Sequence, residues 1–153
     1  MEEEPQTVSD HQRPPSRGDF RFWWPVSVRW GDMDAMGHVN NIIYLQYLES
    51  ARIGYFETLS GWDGRTEGSG RQGPVLVSQT FNYRRMVFYP AELEVAVRCR
   101  EIRNRSFVLE YAIFRKGTEE LVGDGSSVAV WLDYDANTAV DLPPSVRQAL
   151  TGA

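Results

Sequence analysis

A short polar stretch, residues 29–41, carries the groups in this chain that are best suited to chemistry. It holds two aspartates, Asp32 and Asp34, and a histidine, His38, just ahead of a helical pattern. The first turn of a helix leaves backbone N–H groups without partners and carries a partial positive charge. A carboxylate at such a helix start could attack a carbonyl carbon, or activate water to do so. The free amides would then stabilise the oxyanion that forms.

A thioester suits this chemistry, because its thiolate leaves readily and needs little help from a general acid. The same residues, Asp32, Asp34 and His38, could instead surround a divalent cation. A calcium loop that begins at Asp32 would need a bidentate glutamate where Ile43 stands, however, and no second histidine or cysteine lies nearby. We therefore predict no metal site.

A structural turn explains each residue of the stretch taken alone. Aspartate and asparagine bond to their own backbone in loops, and Gly31 and Gly37 permit positive φ angles. Asp32 could also be the partner of Arg29. Two carboxylates and an imidazole at one helix start exceed what a turn requires, so both the turn and the catalytic hypothesis stay open.

Two regular elements must position this stretch. The element before it has apolar side chains at every second position, which predicts a half-buried strand. Those side chains are Phe22, Trp24, Val26, Val28 and Trp30. Pro25 favours a sheet edge or a bulge. The element after the stretch has apolar residues at spacings of three and four, which predicts one long helix between an N-cap at Asn40 and an end at Gly61. Its apolar positions are Ile43, Tyr44, Tyr47, Leu48, Ala51, Tyr55 and Leu59.

Four more strands are predicted after a glycine-rich loop at 61–73. They span 75–83, 91–102, 106–116 and 121–134, and a short helix is expected at 144–150. Consecutive antiparallel strands with one covering helix make an α+β layer structure. A helix of about 17 residues covers only part of such a sheet, so we expect a second copy to cover the rest. The candidate contacts are Trp23, Trp24, Phe88 and Trp131.

Composition limits the functional classes. The 153 residues are 42% hydrophobic and 24% charged, which is ordinary for one soluble domain. A net charge of −5 argues against a nucleic-acid partner, and no apolar run is long enough for a membrane span. Residues 1–19 have few bulky apolar groups and predict a disordered tail before a single domain at 20–150. The single cysteine, Cys99, suits a buried thiol and a cytoplasmic location.

The motif DAMGHVNN at 34–41, followed by Tyr44, Tyr47, Glu49, Ala51 and Arg52, resembles the hotdog-fold acyl-CoA thioesterases, and more narrowly the 4-hydroxybenzoyl-CoA thioesterase type. The resemblance extends over roughly 25–134. It implies a hotdog fold, in which an antiparallel sheet of five or six strands wraps one long helix. It also implies active sites at the interface of a homodimer or homotetramer, hydrolysis of an acyl-CoA substrate, and no cofactor.

The resemblance assigns roles to individual residues. Asp34 matches the catalytic carboxylate, which is a nucleophile or a general base depending on the relative. Asn41 stands where a backbone N–H polarises the thioester carbonyl, and His38 matches a histidine that orients the site or assists water. Plant-type relatives carry asparagine where this chain has Met36, so their asparagine-assisted scheme does not carry over.

Two further regions match positions that support catalysis or bind substrate. Glu49 matches an acidic helix position, which we expect to support the site and to pair with Arg52. The turn Arg103-Asn104-Arg105-Ser106 resembles a hairpin that contacts the nucleotide phosphates of coenzyme A, as exposed guanidinium groups do well. A solvated basic face is the simpler alternative for that turn. An acidic acyl-carrier protein is an alternative partner.

Two other functional classes share the resembled fold. Hydratases and dehydratases that act on acyl thioesters pair an aspartate with a histidine in a differently spaced motif, which the helix start in this chain does not match. A non-catalytic acyl-CoA-binding protein would gain nothing from Asp34 aimed at a thioester. The sequence therefore favours the hydrolase.

Overall fold

The computed structural model describes residues 13–59 and 71–152 of the chain. Eight main elements follow one another in this order: β1 (Phe22–Ser27), α1 (Asn41–Glu57), β2 (Gln72–Tyr83), β3 (Glu92–Ile102), β4 (Ser106–Arg115), β5 (Leu121–Asp133), β6 (Thr138–Ala139) and α2 (Pro144–Thr151). The predicted strands and both helices are present, and β6 is the element that the apolar patterns did not indicate.

All strand pairs in the sheet are antiparallel. The order is β1-β3-β4-β5-β2, and β6 pairs with β5. Pro25 lies in β1, an edge strand, where its missing N–H breaks no pairing on the open side. A tight turn joins β3 to β4, with the Arg103 N–H donating to the Ser106 carbonyl at 2.8 Å. The predicted α+β arrangement and this hairpin are confirmed.

Helix α1 begins as predicted. The side chain of Asn40 accepts the Ile42 N–H at 3.1 Å and so caps the first turn. One face of the helix is buried on β1 and β3, and a Cβ at Gly54 would lie 2.5 Å from the Trp24 ring, so the strand and helix approach closely there. The predicted end at Gly61 lies outside the described residues. No helix in the described parts of the chain is long and apolar enough to cross a membrane.

Three of the four aromatic residues proposed as contacts with a second copy have partners inside this chain. Trp131 is buried and donates its indole N–H to Gln72 at 3.2 Å, Trp24 covers Gly54, and Trp23 lies 5.9 Å from the Phe114 ring. Trp131 is therefore covered by its own chain, contrary to the prediction, whereas Trp23 and Trp24 are only half-buried and their contact with a second copy stays a prediction. Phe88 remains half exposed.

The predicted tail at 1–19 also needs a correction at its end. Residues 1–12 lie outside the described residues, but 13–19 lie against the outer face of the sheet. The Arg17 guanidinium stacks 4.3 Å from the Trp23 ring and pairs with Glu94 at 2.8 Å, while Phe20 is buried just after it. A cation–π contact of this kind can hold a polar segment against the sheet even though the segment has little apolar surface of its own.

Candidate active site

Asp32 and Asp34, two residues apart, have different environments. Asp32 is 1% exposed in a short 3-10 turn, Trp30–Asp32. Its carboxylate accepts the Tyr47 hydroxyl at 2.6 Å, the Arg29 N–H at 2.9 Å and the Arg29 guanidinium at 3.1 Å. Burial disfavours the charged carboxylate, but these hydrogen bonds outweigh it and hold the pKa of Asp32 below its usual value. The predicted pairing of Asp32 with Arg29 is confirmed.

The Asp32 cluster fastens the loop to helix α1. Tyr47 lies on the buried face of the helix, and burial together with the adjacent carboxylate raises its pKa, so the hydroxyl stays protonated and donates. The Asn40 N–H donates to the Asp32 carbonyl at 3.0 Å, which adds a main-chain link at the N-cap. Side chain and backbone of one residue therefore both hold the loop at the start of the helix.

Asp34 occupies a tight turn immediately after this cluster. Its N–H donates to the His38 carbonyl at 3.0 Å, and its Oδ1 accepts the Met36 N–H at 2.9 Å. Gly37 has φ +84°, a conformation that a side chain would strain. Asp34 is half-buried and forms no salt bridge within residues 13–59 and 71–152, since Arg29 is taken by Asp32. The Asp34 carboxylate thus keeps an oxygen open.

A cavity of about 280 Å³ opens beside the start of α1. It is lined by His38, Val39, Asn41, Tyr44, Tyr83, Arg84, Arg85 and Met86. Asn41 is the first residue of the helix, so its N–H has no intrahelical partner, while its carbonyl accepts the Tyr83 hydroxyl at 3.0 Å. His38 Nδ1 lies 3.1 Å from the Val39 carbonyl, a contact in which Nδ1 carries a proton and donates it. The loop therefore brings Asp34, His38 and Asn41 to one end of the helix.

Glu49 lies away from this group, exposed on α1. The predicted pair with Arg52 does not form, because Arg52 points inward and donates to the Tyr111 hydroxyl at 3.4 Å. Within the described residues Glu49 has no hydrogen bond or ion pair. Nor do any three histidine, cysteine or carboxylate side chains there gather closely enough to hold a metal ion.

The turn at 103–106 lies at the opposite end of the sheet. Ser27, which leads toward the site, pairs with Glu92 at the start of β3, whereas the turn follows the end of that strand. Eleven residues of strand separate the two ends by roughly 30 Å. Arg103 pairs with Glu101 at 3.0 Å and Arg105 with Asp141 at 3.1 Å. One chain alone therefore does not bring this turn to Asp34.

Two residues of the site went unnoticed in the sequence. Tyr47 was named as an apolar position on the helical stripe and as part of the resembled motif, but without a role, although a tyrosine buried there needs a hydroxyl partner. Tyr83 was noted only as the end of a strand. Its position over the helix start, where its hydroxyl donates to the Asn41 carbonyl, depends on how β2 lies relative to α1 in the folded chain. A tyrosine on the predicted buried face of the helix, with an aspartate in the loop just before that helix, is the one sequence signal that could have revealed the Asp32 cluster.

Residues 28–150 match the Thioesterase-like superfamily, and the chain belongs to it. The curled antiparallel sheet with one long helix is the hotdog fold that the resemblance implied, shared with solved structures of this class.

Several relatives align along most of the chain. It is 36% identical to PA2801 of Pseudomonas aeruginosa, with 84% of this chain and 96% of that chain covered and a TM-score of 0.75. For PA5185 of Pseudomonas aeruginosa strain PAO1, the identity is 30%, the coverage 90% and 94%, and the TM-score 0.81. The long-chain acyl-CoA thioesterase FadM of Escherichia coli strain K12 is 26% identical over 132 residues, which are 82% of this chain and 93% of FadM.

Proposed function

We propose that this protein hydrolyses acyl-CoA thioesters to a free acid and coenzyme A, in the manner of the 4-hydroxybenzoyl-CoA thioesterase type. One observation carries the proposal. Asp34, a carboxylate without a salt bridge among the described residues, lies in the turn that bonds to the His38 backbone, and His38 and the first helical residue, Asn41, line one cavity. The similarity to FadM, a long-chain acyl-CoA thioesterase, supports the choice of substrate.

In the proposed mechanism the thioester carbonyl lies against the Asn41 N–H. The open oxygen of Asp34 either attacks the carbonyl carbon or takes a proton from the water that does, and the helix amide stabilises the oxyanion. The C–S bond then breaks and the thiolate of coenzyme A leaves. If Asp34 itself attacks, water next hydrolyses the acyl–Asp34 anhydride, which releases the acid and restores the carboxylate; if Asp34 takes the proton of the water, that proton passes on to the thiolate. His38 orients the site or assists the water through Nε2, and Glu49 has a supporting role from the exposed helix face.

The turn at 103–106 is proposed to bind the nucleotide phosphates of coenzyme A. Its separation from Asp34 means that the turn serving a given site would come from a second copy, which favours a homodimer or homotetramer. An acyl-carrier protein could meet the same basic turn. The half-buried Cys99, whose pKa burial raises to about 11, suits a thiol that stays unreactive in the cytoplasm.

Incubation with acyl-CoAs and a thiol reagent tests the proposed activity. Release of free coenzyme A is expected, and the cleaved acyl group should appear as its acid. Hydration of the acyl chain without thiol release would identify a hydratase. Binding without turnover would identify a carrier or regulator.

Replacement of Arg103 and Arg105 by alanine is expected to raise KM at least about tenfold with little change in kcat, because phosphate contacts remote from the carbonyl contribute uniform binding. Arg71→Ala is the matched control, since Arg71 also forms one exposed pair, with Asp135 at 2.7 Å. Steady-state kinetics with one acyl-CoA measure both variants. An unchanged KM would make the turn a solvated basic face.

A further inference from the structure

A buried cation lies beneath α1, away from the proposed reaction centre. Arg52 is 9% exposed, and among the described residues its one hydrogen bond is the 3.4 Å contact from Nη1 to the Tyr111 hydroxyl. Across residues 13–59 and 71–152 no carboxylate lies within 4 Å of its guanidinium nitrogens. Removing a cation from water without a counter-ion costs free energy, and proteins normally offset that cost with an acceptor. Arg52 therefore has more donors than its surroundings use.

A second donor without a partner lies close by. The Tyr111 hydroxyl is 2.7 Å from the Ser127 hydroxyl, and Ser127 stands directly opposite Gln79 in the pairing of β5 with β2. Directly opposed residues point to the same face of a sheet, so Gln79 shares the face of Ser127 and Tyr111. Its Nε2 is buried without any acceptor. Arg52 and Gln79 thus both carry unused N–H groups around two hydroxyls.

In the polar cluster, defined as Arg52, Gln79, Tyr111 and Ser127, the guanidinium of Arg52 is the group that keeps contact with solvent. In the described part of the chain, one side-chain nitrogen is both fully buried and without a partner, and it belongs to Gln79. The unused nitrogens of Arg52 therefore retain contact with solvent. The helix packs on β1 and β3, whereas Ser127 and Gln79 belong to β5 and β2 at the other side of the sheet. The cluster therefore lies where the helix cover ends.

The distance to the reaction centre sets the size of the ligand. Arg52 follows Asn41 by 52 − 41 = 11 residues on one helix, which is roughly 16 Å along the axis. Carbon–carbon bonds of ~1.5 Å span that distance in about a dozen steps of an extended chain. Tyr44 and Phe81, whose rings lie 5.7 Å apart, offer apolar surface between the two polar sites.

We propose that the polar cluster binds a carboxylate at the far end of the acyl group, so that the preferred substrates are coenzyme A thioesters of long dicarboxylic acids. This inference rests on the proposed thioesterase function and names its substrate class. Water adds to the carbonyl carbon, the C–S bond breaks, coenzyme A leaves as the thiol, and a dicarboxylate is released. The same carboxylate chemistry could be supplied by an acidic side chain of a second copy, and the experiment separates these two sources.

The test compares kcat/KM for the mono-coenzyme A thioester of dodecanedioic acid and for dodecanoyl-CoA, in the wild type, Arg52→Met and Gln79→Leu. The wild type should prefer the dicarboxylic thioester at least about tenfold. Arg52→Met should remove that preference and leave hydrolysis of dodecanoyl-CoA in place, and Gln79→Leu should weaken it. Arg100→Met, an exposed arginine on β3, is the control and should keep it. Equal preference in the wild type and Arg52→Met would overturn the proposal.

Binding measurements keep the two proposals distinguishable. If neither thioester is hydrolysed, the thioesterase function fails, and calorimetric titration with dodecanedioate against dodecane-1,12-diol, which has no carboxylate, decides the inference alone. Tighter binding of dodecanedioate that disappears in Arg52→Met would support it. A melting temperature of Arg52→Met equal to or above that of the wild type is also expected, because an unpaired cation is removed. A change in sedimentation mass in that variant would assign the carboxylate to a second copy and overturn the substrate class.

Discussion

Asp34→Asn should lower kcat at least about 100-fold while the melting temperature changes little. The amide cannot act as a carboxylate nucleophile or take a proton from water, and acid–base groups of this kind contribute about 10²–10⁴-fold. The fold should tolerate the change, because the side-chain oxygen of the introduced asparagine can still accept the Met36 N–H that Asp34 Oδ1 accepts now. Thiol release from an acyl-CoA and a thermal melt of the same preparation measure the two quantities.

Asp133→Asn is the matched control for that substitution. Asp133 also accepts N–H groups within its own turn, from Asp135 and Ala136 at 3.0 Å each, and it stands at the end of β5. The same loss of charge there should leave kcat unchanged. Full activity in Asp34→Asn would refute the assigned role, and a loss in Glu49→Gln would then move the base to the helix.

The elements that hold the site could be predicted because the spacing of apolar residues shows whether a segment is a strand or a helix and which of its faces is buried. Asn40 was identified as the N-cap for a similarly local reason, since a short polar side chain before an apolar stripe bonds the first helical amides. Local chemistry and regular spacing were therefore sufficient for β1 as far as Ser27 and for the start of α1. Trp30, which continued the alternating pattern, lies instead in the 3-10 turn and is 73% exposed.

The partners of individual side chains could not be predicted in the same way. Glu49 and Arg52 have helical spacing for an ion pair, yet the inward face of α1 takes Arg52 to Tyr111 on β4. Residues 103–106 carry two arginines on a turn, but their distance from Asp34 depends on which end of β3 each connection leaves. Both outcomes depend on contacts between residues far apart in the chain.

Asp32→Asn should destabilise the protein by about 1.5–3 kcal/mol, because it removes a buried charged acceptor and leaves donors unmatched, while the Arg29 side chain itself is 77% exposed. The carboxylate now accepts the Tyr47 hydroxyl and the Arg29 backbone and guanidinium N–H groups. The side-chain amide of the introduced asparagine would offer one acceptor oxygen, and its NH₂ group would face one of the donors that the carboxylate now binds. Denaturant unfolding measures the loss. Tyr47→Phe, which removes one donor and keeps the carboxylate, should cost about 1–3 kcal/mol.

The pH dependence separates this effect from simple loss of packing. Because the pKa of Asp32 is lower in the folded protein than its ordinary value, its contribution is fully present above that ordinary value of 3.8 and is lost as the pH falls through the folded pKa. The stability gap between the wild type and Asp32→Asn should therefore be constant near neutral pH and should narrow in acid below about pH 4. A gap that stays constant into strong acid would mean that the Asp32 charge contributes nothing. The loop that carries Asp34 would then be held by backbone bonds such as that from Asn40 to the Asp32 carbonyl.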